Sequence, residues 1–287
     1  MTQPYQFGLG RQFAGHDPRN LGYRSRPLLD ALPVVRKTTY WSMPPGWGLP
    51  LDQGDSPQCT GFGAAHELAD GPVFVPNVDT AFAHRRYARN VEEDKLIGNV
   101  FDGGATVGAT MTALKKDGLI TGYTWNLGVK DTLDSLCAVG PVCLGTVWKS
   151  GMFTTTADGL LRVTGDDVGG HFYVLAARVE MHPKWGPGSW MIQSWGAWGT
   201  GVPELGLTTG CAFIRDADLA ILLADNGESV SPRDFFVLPT VSTVYATATS
   251  RVFHTARHPW IRHDRSFESY AFAVVAGLRP CKLCRPT

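Results

Sequence analysis

No apolar stretch in this chain approaches the roughly 18 residues that a membrane-spanning helix needs. No internal repeat is visible either. Net charge is missing as well: 26 Lys and Arg offset 26 Asp and Glu, so the overall balance marks neither a polyanion binder nor a membrane-surface protein. The opening, Met1 to Gly10, lacks the apolar core of a secretory leader. The expectation is a protein folded in a reducing cytoplasm, or virion-associated through phage assembly or lysis. Cysteine is scarce, six in 287 residues, and its spacing is not that of a disulfide-stapled secreted scaffold. What is present, 44% hydrophobic and 18% charged residues with 33 Gly and 19 Pro, describes a loop-rich globular protein. The length allows one large domain with a small appendage, or two medium domains.

Residues 1–50 are rich in Gly, Pro and Arg with little periodicity, and read as an extended arm packed over the domain that follows. Behind Cys59, residues 60–68 have helical spacing, with Phe62, Ala65 and Leu68 on one stripe. A second helix is expected over 106–116, with Val107, Met111 and Leu114 on one face and Asp117-Gly118 ending it. Strand signals then dominate, at 142–148, 171–177, 189–193 and 210–214. Helices followed by antiparallel strands is an α+β order. The polar segment 225–232 reads as the end of the main domain, and 241–250 as a linker or an edge strand. The division is therefore an arm (1–50), a main domain (51–238), a linker (239–250) and a small module (251–287).

Cys137, Cys143 and Cys211 sit in apolar runs and read as small buried hydrophobes. Cys59 differs. A thiol attacks a carbonyl only as thiolate, so it needs a helix N-terminus or an imidazolium beside it, donors for the oxyanion, and a group that orients the imidazole. Cys59 opens a predicted helix, where the dipole favours a thiolate. Gln53 stands six residues earlier, on a loop long enough to aim its amide at the same point as the Cys59 N–H. His171 begins an apolar strand after Gly169-Gly170, and Gln193 on the next strand is placed to accept a hydrogen bond from its ring. Trp190, Trp195 and Trp198 read as core and pocket wall, and His66 as structural.

Asp52-Gln53-Gly54 followed by Cys59-Thr60-Gly61-Phe62-Gly63 resembles the Gln-Gly…Cys segment of papain-like (C1-type) cysteine peptidases, in particular bacterial and phage members. Gly170-His171-Phe172-Tyr173-Val174-Leu175 is similar to that family's Gly-His strand, and Trp190-Met191-Ile192-Gln193-Ser194-Trp195-Gly196 to its tryptophan-rich segment. Asp102-Gly103-Gly104 sits where the family hydrogen-bonds an extended substrate backbone. The resemblance spans residues 16–238 and implies a papain-like fold, a helical subdomain carrying the cysteine helix against an antiparallel β subdomain. It implies Cys59 as nucleophile, His171 as its ion-pair partner and base, Gln53 with the Cys59 N–H as oxyanion donors, and Gln193 as the group orienting His171. Trp195 would shield that contact, while Gly103, Gly104 and Gly170 would line the substrate groove. Departures are clear: Gln193 replaces the usual Asn, Ser56-Pro57-Gln58-Cys59-Thr60 replaces the familiar cysteine signature, and the interval to His171 falls short of the roughly 130–150 residues usual in the family. No long inhibitory segment precedes the cysteine.

The C-terminal module carries His254 and His258 at i and i+4, then Cys281 and Cys284 after a Pro. That donor set matches tetrahedral Zn2+, with His263 as a replacement for either His, and four protein ligands leave no open position for catalysis. A short helix is expected over 267–276. The expected function is hydrolysis of peptide bonds in a peptide or protein substrate, with no membrane and no nucleic-acid partner. Two alternatives stand beside it: a cell-wall peptide amidase or lysin whose zinc module binds wall or virion, and a non-catalytic papain-fold structural or binding protein of a virion.

Overall fold

The computed structural model describes residues 7–32 and 34–233 and, further on, 244–247, 252–254, 265–267 and 279–280. The chain separates into two compact units, Met1–Asp234 and Phe235–Thr287. The first begins with strand β1 (Arg11–Gln12), a 3-10 turn over Pro18–Tyr23, helix α1 (Arg26–Asp30) and strand β2 (Thr39–Tyr40). Helices α2 (Cys59–Ala69) and α3 (Thr80–Leu96), strand β3 (Ala105–Thr106) and helix α4 (Val107–Lys116) follow. Then come β4 (Gly122–Trp125), α5 (Val129–Ala138), β5 (Val142–Lys149), β6 (Asp167–His182) and β7 (Gly186–Ile192). Strands β8 (Thr200–Val202) and β9 (Leu207–Arg215), helix α6 (Asp216–Ala224) and strand β10 (Glu228–Arg233) complete the unit.

The sheet runs in the order β4-β10-β5-β6-β7-β9-β8, with β2 added to β6, and every pairing in it is antiparallel. Helix α2 packs on β6 beneath α3 and α4, closing one apolar core that includes Phe62, Leu68, Met111, Leu114 and Phe172. A second core, including Leu133, Trp148, Tyr173, Met191 and Leu219, joins α5 and α6 to the sheet. The expected single stripe on the cysteine helix proves too narrow, because all eleven residues of α2 are buried. A helix enclosed on every side carries no polar face. Gly61 and Gly63 permit that enclosure: a Cβ at Gly61 would lie 2.5 Å from the Ala83 carbonyl oxygen, and one at Gly63 2.4 Å from the Phe172 ring.

The polar segment 225–232 lies at the end of the first unit, and most of it is β10, a strand lying between β4 and β5. Its serines are satisfied inside: Asn126 Nδ2 donates to Ser229 Oγ and Ser231 Oγ at 3.0 Å each, and Thr132 Oγ1 donates to Ser229 Oγ at 2.8 Å. Paired hydroxyls are cheap to bury, so polarity hid the strand. Helix α3 is likewise unannounced by hydropathy, since Asn90, Glu93 and Asp94 are among its buried residues. Asp94 accepts from Thr106 N and Thr106 Oγ1, both at 2.8 Å, which ties α3 to the start of α4.

In the second unit, β11 (Val244–Ala246), β12 (Val252–His254), β13 (Arg265–Phe267) and β14 (Arg279–Pro280) form a sheet in the order β13-β11-β12-β14. Strand β11 lies inside the stretch read as linker or edge strand. His254 closes β12. The side chain of His254, together with His258, His263, Cys281 and Cys284, lies outside the described residues, as does all of 267–276 but Phe267. Among the described residues no group of three His, Cys, Asp or Glu side chains is placed to hold a metal. No helix among them is long and apolar enough to cross a membrane.

Two outcomes follow from this packing. Gly61→Ala should lose about 1–3 kcal/mol in chemical denaturation, as overpacked cores do, and a loss below about 0.5 would refute the close approach of α3. His66 is buried, its Nε2 accepts from Leu51 N at 2.8 Å, and desolvation pulls its pKa down to about 3. With the folded value below the unfolded 6.5, the unfolded chain takes up the proton first. Stability held by the neutral ring is complete above pH 6.5 and drains away as pH falls toward about 3. Between pH 6.5 and about 4.5 the wild type should lose more stability than His66→Gln; equal slopes would contradict a neutral buried ring.

Candidate active site

Cys59 is the first residue of α2, so its thiol lies at the positive end of the helix dipole. His171 lies on β6 opposite Thr146 of β5, and Gln193 immediately follows β7, the other neighbour of β6. That pairing puts His171 Nε2 2.6 Å from Gln193 Oε1. A carbonyl oxygen only accepts, so Nε2 carries the proton and the neutral ring's Nδ1 is left bare. The backbones of Phe172, Gly10 and Thr60 reach the Cys59 sulfur, which puts the thiol against the residue next to His171. His171 Nδ1 has no hydrogen-bond partner among the described residues, so no hydrogen bond joins ring and thiol in this form. Trp195 stacks on the His171 ring at 4.6 Å and Trp148 meets it edge-on at 4.8 Å.

The Gln53 loop is pinned to the same place. Gln53 N donates to Ser194 O at 2.8 Å, and Gly54 N to Asp52 Oδ1 at 2.8 Å. Gln53 Nε2 donates to Ser56 O at 2.7 Å and to Gly8 O at 3.1 Å. The second acceptor is informative: a main-chain carbonyl from residue 8 occupies the donor expected for an oxyanion.

Residues 7–12 run through the groove. Phe7 stacks on Trp195 at 4.8 Å, and Gly8 N donates to Gly54 O at 2.9 Å. Gly10 N donates to Gly170 O at 3.1 Å, and Ala105 N to Gly10 O at 2.9 Å. Arg11 and Gln12 pair in parallel with Ala105 and Thr106, and Gln12 Nε2 donates to Gly103 O at 2.9 Å. Gly170 thus bonds the main chain of the arm, Gly103 accepts only from the Gln12 side chain, and the main-chain N–H contributed at the far wall is that of Ala105. Gly104 N instead donates to Tyr87 Oη at 2.9 Å. Gly104 has φ +86°, and a Cβ there would lie 2.1 Å from Gly10 O. Residues 7–12 therefore fill the groove.

That cover sets the electrostatics. Desolvation pushes the Cys59 thiol up to about 12 and pulls the His171 ring down to about 3. Helix dipole and nearby N–H groups oppose the first shift without reversing it. Both shifts favour the neutral thiol and the neutral ring over a thiolate–imidazolium pair in this covered form. Cys143 and Cys211 are buried, while Cys137 is only half-buried, with its Sγ 3.7 Å from Lys37 O.

Sequence reasoning missed Phe7, Gly8, Gly10, Arg11, Trp148 and Glu228. One signal was legible: in Phe7-Gly8-Leu9-Gly10-Arg11, glycine alternates with larger residues, the pattern of a strand whose one face lies against another backbone.

The fold has solved counterparts. Xylellain, a cysteine protease from Xylella fastidiosa, superposes with a TM-score of 0.53 at 15% identity, over 82% of this chain and 99% of that one. Procathepsin L 3 of the Tenebrio molitor larval midgut gives 0.46 at 11% identity, over 78% and 75% of the two chains. A recombinant stem bromelain precursor gives 0.42 at 13%, over 81% and 78%. The fold is that of papain-like cysteine proteases. No protein-family model matches the sequence, and no curated protein matches it.

A Cβ on Gly10 would fall 2.1 Å from Pro57 O, so Gly10→Ala should unseat the arm. Alkylation of Cys59 by iodoacetamide should then speed up by about tenfold or more, as for a site freed from local opening. Cys143 and Cys211 should stay slow. Equal rates at Cys59 in the wild type and Gly10→Ala would remove the arm as its cover.

Proposed function

We propose that this chain is a cysteine peptidase that hydrolyses peptide bonds through an acyl-thioenzyme, once residues 7–12 have left the groove. The observation that carries this reading is the arm itself. An extended main chain is bound by its own carbonyl and amide groups, with Gly8 O on the Gln53 amide and Gly10 against the thiol. A groove that binds backbone in that way, beside Cys59 and His171, is suited to a peptide.

In the open form, water reaches the pair and the desolvation that holds both groups neutral is relieved. His171 Nδ1 takes the proton from the Cys59 thiol, and the sulfur adds to the scissile carbonyl carbon. The oxygen gains the negative charge and is held by Gln53 Nε2 and the Cys59 N–H. When the C–N bond breaks, the imidazolium gives its proton to the leaving amine. Water, deprotonated by His171, then attacks the thioester and releases the acid. Gln193 keeps the ring in the tautomer with Nδ1 bare, and Trp195 covers that contact. These roles are the ones the resemblance implies.

The non-catalytic reading draws on one observation, the complete burial of Cys59 and His171. The covering chain is a short arm held in the groove by backbone hydrogen bonds, and the peptidase reading requires it to leave. The zinc expected at residues 251–287 rests on residue spacing alone, and its role in this reading is structural. Peptidase and cell-wall lysin share the chemistry and differ in substrate.

In a Gly10→Ala background, Cys59→Ala should abolish cleavage of casein. Gln53→Ala should lower kcat by about a hundred- to a thousandfold with little change in KM, as loss of one oxyanion donor does. Turnover that survives Cys59→Ala would end the proposal, and clearing of bacterial wall but not casein in a zymogram would select the lysin.

A further inference from the structure

One buried histidine has no part in the steps above. His66 lies on α2 about two turns beyond Cys59, on the same helical face, and is wholly buried. Its Nε2 accepts from Leu51 N at 2.8 Å, and its Nδ1 has no hydrogen-bond partner among the described residues. An accepting Nε2 leaves the single proton of the neutral ring on Nδ1. Burial favours that neutral form, so the acceptor is kept. A buried ring with one N–H unpartnered is a poor way to fill space, because an apolar side chain of similar size carries no such cost. What this ring supplies is a single acceptor, aimed at Leu51.

Leu51 begins the segment that carries Gln53. Leu51 O accepts from Gly196 N at 3.4 Å, Asp52 pairs with Trp195, and Gln53 N donates to Ser194 O at 2.8 Å. Those contacts fix the segment to the turn that follows β7. The bond to His66 fixes it to α2. The distinction matters because the two oxyanion donors come from different elements: the Cys59 N–H belongs to α2, and Gln53 Nε2 to the loop. In the covered form the arm helps to hold that loop. Gly8 N donates to Gly54 O at 2.9 Å, and Gly8 O accepts from Gln53 Nε2 at 3.1 Å. Both bonds go when the arm leaves, while the tie to His66 stays.

We propose that His66 is a positioning residue for the oxyanion site: it holds the Gln53 segment to the helix of Cys59, so that both donors stay aimed at one point in the open form. The inference rests on the peptidase reading and adds a residue to it. Donors stabilise a developing oxyanion best when they are already in place, since no reorganisation is then needed as the charge appears. His66 therefore acts on the step that puts charge on oxygen, and leaves the thiol untouched.

The test uses the full chain in the Gly10→Ala background, with His66→Leu, His66→Met and His66→Gln added singly. Gln keeps an acceptor at the end of a side chain of similar reach, whereas Leu and Met fill the space without a comparable one. His66→Leu and His66→Met should lower kcat for a peptide that the parent cleaves by about tenfold or more, with KM within about twofold, as when an interaction made only in the transition state is lost. His66→Gln should bring kcat back to within about threefold of the parent. Iodoacetamide should alkylate Cys59 at the parent's rate in all three, because displacement of iodide puts no charge on a carbonyl oxygen. An unchanged kcat in the Leu and Met variants overturns the inference. So does a failure of Gln to restore it, or alkylation that slows together with kcat. Fast alkylation of the buried Cys143 and Cys211 marks a variant that has not folded, and the other of the Leu and Met pair is then read. Unfolding of both makes the ring structural and overturns the inference. If the Gly10→Ala parent cleaves nothing, the peptidase reading itself falls, and the role of His66 with it.

Discussion

The contact on which the site depends is the one between Gly63 of α2 and Phe172 of β6. No side chain separates them, and a single added carbon would sit 2.4 Å from the ring. Because the helix seats that deeply, its first turn brings Cys59 to the backbone of the residue after His171. A helix held a methyl group farther away would keep both residues and lose the juxtaposition. The antiparallel pairing of β6 with β7 adds Gln193 from the other side, so the ring is fixed by sheet register as the thiol is fixed by helix packing. Register errors in a sheet move side chains to the opposite face, which makes this a robust way to hold an imidazole.

Reactive groups held this tightly are also easily silenced. The same closeness that orients thiol and ring lets a short glycine-containing strand exclude water from both. Desolvation then outweighs the backbone hydrogen bonds and the Arg11 charge at Cys59 and the Gln193 bond at His171. The site is thus assembled, while its burial favours the neutral thiol and ring. Trp195 takes part in both states, stacking on the ring from one side and receiving Phe7 on the other.

Much of this was legible in the chain and some was not, for physical reasons. The cysteine helix, the α4 helix and the four main strands announced themselves by period and by their glycine and proline boundaries. Gln53, Cys59, His171, Gln193 and Trp195 lie together in the structure, as the motifs led one to expect. Strand β10 was read as a boundary because its serines look exposed on a hydropathy scale, while Asn126 and Thr132 satisfy them inside. Helix α3 hid behind buried Glu93 and Asp94, whose partners come from distant positions such as Thr106 and Lys116. Arg11 and Glu228 are 217 positions apart, and nothing local in either marks the other. The residues of the proposed zinc set lie outside the described chain, with only the backbone of His254 inside it.

The filling of the groove by residues 7–12 has a quantitative consequence. An occupant on the same chain never dilutes: a tethered segment faces its site at an effective concentration on the order of millimolar. Any incoming peptide competes against that standing value, whatever the protein concentration. Scarce or loosely held peptides stay outside, and only an abundant or tightly gripped one gains entry. Residues 7–12 therefore act as a threshold, and its height is set by how well those six residues fit their own groove.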